Sequence, residues 1–99
     1  MAEHIKADGA RAQVQPQDGR TFSLQELQAA VGGYIEIVGL ADGRYMVLNE
    51  EGKLQHLEVN AEATRLARSR IGADDYIVGD VLVCTDRELE GEEEEEEDK

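Results

Sequence analysis

Leu27-Gln-Ala-Ala-Val-Gly-Gly-Tyr-Ile-Glu-Ile-Val-Gly-Leu-Ala-Asp-Gly-Arg-Tyr-Met-Val-Leu-Asn49 carries a helix end, a strand, a turn and a returning strand in one uninterrupted run. Gly32-Gly33 supplies the positive φ that stops a helix and redirects the chain. Asp42-Gly43 is a hairpin turn, and read as a two-residue loop it sets Ala41 opposite Arg44. That register places Ile35, Ile37, Met46 and Leu48 on one apolar face, and Tyr34, Glu36, Val38, Tyr45 and Val47 on a mixed one. Upstream, Ser23 and Glu26 have the spacing of a capping box. Leu24, Leu27 and Val31 then form a helical stripe expected to pack on the apolar face.

Outward from this centre, Arg11 to Pro16 alternates as a short strand, with Pro16 at its end. Lys53 to Val59 reads as a further strand. Asn60 is a good N-cap for a helix over 61–71, whose apolar stripe is Ala63, Leu66, Ala67 and Ile71. Tyr76 to Cys84 is the closing strand, broken near Gly79-Asp80. The fold class is α+β: a small, mainly antiparallel, twisted sheet with two helices. Residues 1–9 are expected to be a mobile N-terminus, 10–85 a single domain and 86–99 a disordered acidic tail.

Charge is unevenly spread. The net of −13 includes ten acids against two bases in residues 86–99, so residues 1–85 carry only −5. A net negative chain opposes direct nucleic-acid binding or adsorption to anionic lipid, because phosphate affinity comes from Lys and Arg. No segment has the apolar length to cross a bilayer or the leader pattern of a secreted chain, and the expected compartment is the cytoplasm. The single Cys84 reads as a small core hydrophobe. His4, His56 and Cys84 lack metal-ligand spacing, and Asp74, Asp75 and Asp80 lack the calcium-loop ladder, so neither metal nor cofactor is expected. The glycine pair follows a helix and precedes a strand, the reverse of a phosphate-binding loop.

The chemistry worth weighing lies elsewhere. Arg65 and Arg68 share a helix face, and their guanidinium forks suit phosphate or carboxylate oxygens. The plainer alternative is a solvated face paired with Glu62. With the aromatic pair Tyr34/Tyr45, the carboxylate of Glu36 and the cap residues Asn60 and Thr64, the arginines make the candidate site for an anionic, base-bearing ligand. A domain this small would form such a pocket between subunits of a homo-oligomer. Glu36 or Tyr34 as an acid or base lacks an identifiable second catalytic group, so an enzyme is not expected.

Phe22 to Val38, Val47 to Lys53, Asn60 with Ala63-Thr64, and Ile77 to Val83 together resemble the bacterial and phage domain-of-unknown-function family numbered 3846; Leu27 to Glu36 is the most specific block. The resemblance implies a compact α+β protein carried by phages and mobile elements, and it implies no chemistry. The expected function is non-enzymatic binding that counteracts host defence by sequestering a small anionic, nucleotide-like ligand. The alternative is a protein-interaction module, or an acidic decoy that mimics nucleic acid toward a host protein.

Overall fold

Residues 2–90 are described by a computed structural model of the chain. In chain order the elements are β1 (Ala2–Ile5), β2 (Arg11–Val14), α1 (Leu24–Val31), β3 (Ile35–Gly39), β4 (Tyr45–Asn49), α2 (Ala61–Ala67) running into a 3-10 turn (Arg68–Arg70), β5 (Val81–Cys84) and α3 (Asp86–Glu90). The five strands form one antiparallel sheet in the order β2-β1-β5-β4-β3.

Helix α1 starts as local chemistry dictates. The Ser23 hydroxyl accepts the Glu26 amide at 3.1 Å, and the Glu26 carboxylate accepts the Ser23 amide at 2.7 Å. Gly32 ends the helix at φ 84° and donates to the Gln28 carbonyl at 2.7 Å. Between β3 and β4, however, the loop has three residues rather than two. The Gly43 amide reaches the Leu40 carbonyl at 3.2 Å with Gly43 at φ 90°, and Asp42 Oδ1 accepts from the Arg44 amide at 3.0 Å. This is a turn followed by a left-handed glycine, the common three-residue hairpin solution.

The extra loop residue shifts every pair by one, giving Ile35 opposite Asn49, Ile37 opposite Val47 and Val38 opposite Met46. The expected apolar face is therefore divided between the two sides of the sheet. Met46 and Leu48 join Ile5, Leu40, Ala63, Ala67, Ile77, Val81 and Val83 beneath α2. Val47, with Ile35 at its edge, joins Ala2, Phe22, Leu27, Val31, Leu82 and Cys84 beneath α1 and α3. Ile37 remains 47% exposed. The result is a three-layer molecule, which explains why Met46 to Leu48 and Val81 to Cys84 are unbroken apolar runs: both faces of those strands are covered.

Three further expectations are corrected. Ala2–Ile5, assigned to a mobile terminus, forms β1 between β2 and β5, with Ala2 and Ile5 buried. Its polar residues find distant partners: Glu3 pairs with Arg11, and His4 Nε2 lies 2.8 Å from the Ala30 carbonyl. Residues 50–56 are turns rather than a strand, and only Val59 makes a bridge, to Val78. Asn49 organises those turns, accepting from the Glu51 amide at 2.8 Å and donating to the Val31 carbonyl at 3.2 Å. Finally, Asp86–Glu90 is helical, because Thr85 and Glu88 repeat the capping-box exchange of Ser23 and Glu26. The remainder of the expected tail, 91–99, lies outside the described residues.

Candidate functional site

The seven candidate residues do not form one site. Asn60 is buried and wholly occupied: its carbonyl oxygen accepts from the Ala63 amide at 3.0 Å, and its amide donates to the carbonyls of Ile5 at 3.0 Å and Gly79 at 2.8 Å. The Thr64 hydroxyl donates to the Asn60 carbonyl and accepts from the Ile77 amide at 2.9 Å. Arg68 spends its guanidinium on the carbonyls of Gly72, Ala73 and Asp75, closing the chain after the 3-10 turn. Tyr34 and Tyr45 are no pair, since the three-residue loop puts Tyr45 on the side of Ile37 and Gly39, while Tyr34 precedes β3 at the hairpin's other end.

Arg65 is tied to Glu62, with Nε 3.0 Å from Oε1. The same carboxylate receives Arg11 at 3.0 Å, and Arg11 forks onto both oxygens of Glu3 at 2.9 Å. Glu3, Arg11, Glu62 and Arg65 thus alternate in charge across β1, β2 and α2. Hydrogen bonding from Arg65, and then from Arg11, holds the Glu62 carboxyl down at about 2.

A folded-state pKa depressed below the ordinary 4.5 contributes stability above that value, and the contribution is lost as pH falls toward about 2. Arg65 and Arg11 are solvent-facing, so the contribution stays within the range of about 1 kcal/mol seen for exposed pairs. Glu62→Gln should therefore lower the urea midpoint slightly at pH 7 and match the parent near pH 2, with 1 M salt narrowing the neutral-pH gap. A gap that stays constant from pH 7 to pH 2 would assign the loss to packing instead.

A groove lies beside the edge strand β3. It has a volume of about 150 Å³, and Glu36 and Val38 of β3, Leu48 of β4, Lys53 and Leu54 of the turn segment, and Ile71 and Tyr76 line it. Of the seven candidates only Glu36 reaches it. Lys53 pairs with Asp75 and lies 4.4 Å from the centre of the Tyr76 ring. The pair keeps both groups ionised, raising Lys53 and lowering Asp75 from their usual ranges. With Lys53 committed, the carboxylates of Glu36 and Glu50 give the rim its sign. Leu54 is 80% exposed and Tyr76 43%, leaving apolar surface beside that acidic rim.

Sequence reasoning missed this groove because β3 and β4 are closed over by turns at 50–54 and 71–78, where no periodicity marks a partner. The bulk of exposed Leu54 next to Lys53 was the available signal.

Cys84 is enclosed, and burial pushes its thiol up to about 12, consistent with a core role. Among the described residues no three His, Cys, Asp or Glu side chains are grouped to hold a metal ion, and no helix is long and apolar enough to cross a membrane.

Comparison with curated proteins and with solved structures returns no match. One family model does match, over residues 5–98, from the last residue of β1 through strands β2 to β5, both longer helices and the turns that wall the groove. The chain therefore belongs to the family described as a domain of unknown function, DUF3846.

Proposed function

We propose that the protein is a non-enzymatic, protein-binding module of phage or mobile-element type that docks on a host protein and thereby counteracts host defence. The observation that carries this reading is the groove beside β3, where Leu54 and Tyr76 leave apolar surface exposed and, among the described residues that line it, three carboxylates, Glu36, Glu50 and Asp75, face the single cation Lys53. Interfaces characteristically combine an apolar centre with a polar rim, and an acidic rim favours a basic partner through steering and charge complementarity. The phage setting comes from the family resemblance.

Sequestration of a nucleotide-like ligand is the weaker reading. It required Arg65, Arg68 and Asn60 to present free donors to an anion, and each is engaged within the chain.

A peptide library displayed against the protein tests the choice. Selected peptides should be basic, should bind more weakly as salt rises, and should lose at least tenfold in affinity on Leu54→Asp while keeping it on Arg65→Ala. Calorimetric titration with cyclic and ADP-ribose-type nucleotides should give no heat. Heat that disappears with Arg65→Ala would replace docking by sequestration.

A further inference from the structure

The hairpin register also determines which main-chain groups of β3 face outward. Opposed residues of an antiparallel pair alternate between hydrogen-bonded and non-hydrogen-bonded. The Leu40 amide donates to the Arg44 carbonyl at 2.8 Å, and the Glu50 amide donates to the Tyr34 carbonyl at 2.9 Å. Positions 34, 36, 38 and 40 are thus turned toward β4. The amides and carbonyls of Ile35, Ile37 and Gly39 are turned away from it, at the border of the sheet.

The two borders of the sheet are treated differently. On β2, Arg11 stands at the start, fixed by Glu3 and Glu62, and Pro16 follows the strand. Charge and proline are the usual guards against strand pairing. On β3, Ile35-Glu-Ile-Val-Gly39 has no proline, its one charged residue is Glu36, and its β-branched residues suit pairing.

Resting on the docking reading above, we infer that β3 takes up an extended segment of a cationic partner protein as a sixth strand. Its side chains alternate: apolar residues lie against Ile35 and Ile37, and Lys or Arg lies beside Glu36 and Glu50 at the groove. Main-chain bonds to Ile35, Ile37 and Gly39 supply affinity, and the alternation supplies selectivity. Charge decides between occupants. A second copy would bring another net of −13 to an edge whose own charged residue is Glu36, whereas a basic segment compensates it.

The probe is a capped synthetic peptide alternating lysine and valine, with an alternating glutamate and valine peptide as control. On adding the lysine peptide, amide exchange followed by NMR should slow at Ile35, Ile37 and Gly39. The amides of Glu36 and Val38, already in the ladder, should change little.

Ile37→Pro removes an outward amide while leaving the β4 ladder intact, so the variant should keep its circular dichroism and lose at least tenfold in peptide affinity. Glu36→Lys should shift preference toward the glutamate peptide. Unchanged exchange at the three outward amides of the parent protein overturns strand addition even if the Pro variant folds poorly. Peptide binding that survives Ile37→Pro overturns it while leaving groove docking in place. Absence of binding by any basic probe overturns the docking reading itself. A dimer in light scattering that Ile37→Pro converts to a monomer overturns the cationic occupant in favour of a second copy.

Discussion

A chain lacking residues 2–9 should show no cooperative urea transition and little of the parent's far-ultraviolet circular dichroism. β1 sits inside the sheet: Glu3 to Ile5 pair with Val83 to Val81 on one side, and Ala2 to Ile5 pair with Val14 to Arg11 on the other. Its removal uncovers β5, strands β2 without a neighbour and empties the position of Ile5, which is fully buried. Truncating one such side chain to alanine costs about 2–5 kcal/mol. Small domains are stable by only about 5–15 kcal/mol in total, so loss of a whole interior strand exceeds what remains. A shortened chain that unfolds with the parent's midpoint would mean that the N-terminal segment is dispensable to the sheet.

Asn60→Ala should cost about 2–4 kcal/mol in urea denaturation. The side chain is an N-cap, worth about 1 kcal/mol when lost. Its amide also donates to the carbonyls of Ile5 and Gly79; Ile5 is paired with Val81 in the sheet, so the Gly79 carbonyl is the one that loses its donor, and a buried carbonyl in that state costs about 1–3 kcal/mol. Asn60→Asp separates these roles. The aspartate keeps the acceptor for the Ala63 amide but offers the two carbonyls a carboxylate in place of a donor. It should be as damaging as alanine at pH 7 and partly recover in acid, where the protonated group can donate. A loss on Asn60→Ala of only about 1 kcal/mol would reduce the residue to a cap.

These two cases show where sequence reading succeeds and where it stops. Ser23 with Glu26, Gly32 and the cap at Asn60 are decided by partners within four residues, and each was legible. The hairpin was legible too, but Asp42-Gly43 fits both two- and three-residue loops. The choice depended on Gly43 taking the left-handed position after a turn that begins at Leu40. That single residue moved Met46 and Leu48 to the face opposite Ile35.

β1 was hidden because its polar side chains are satisfied by Arg11 and the Ala30 carbonyl, contacts that no local pattern announces. Thr85 with Glu88 had the same spacing as Ser23 with Glu26 and could have been read as a helix start; the acidic run that follows obscured it. Among the candidate site residues, Arg65 lay three positions from Glu62, and that pairing was readable. Glu36 was recognised as a carboxylate on the hairpin, whereas the groove beside it depends on turns that only tertiary structure brings together.

The sheet order has a kinetic consequence. Two ribbons, β1 with β2 and β3 with β4, can each close early from neighbouring residues, but within the sheet they are joined by β5, which pairs residues as remote as Glu3 and Val83. Until that last strand slots between them, both ribbons present a bare inner border, and the entropy of closing so long a loop must be met in one step. The rate-limiting event in assembling this molecule should therefore be the arrival of Val81 to Cys84, and substitutions there should slow refolding more than equally buried ones in α1.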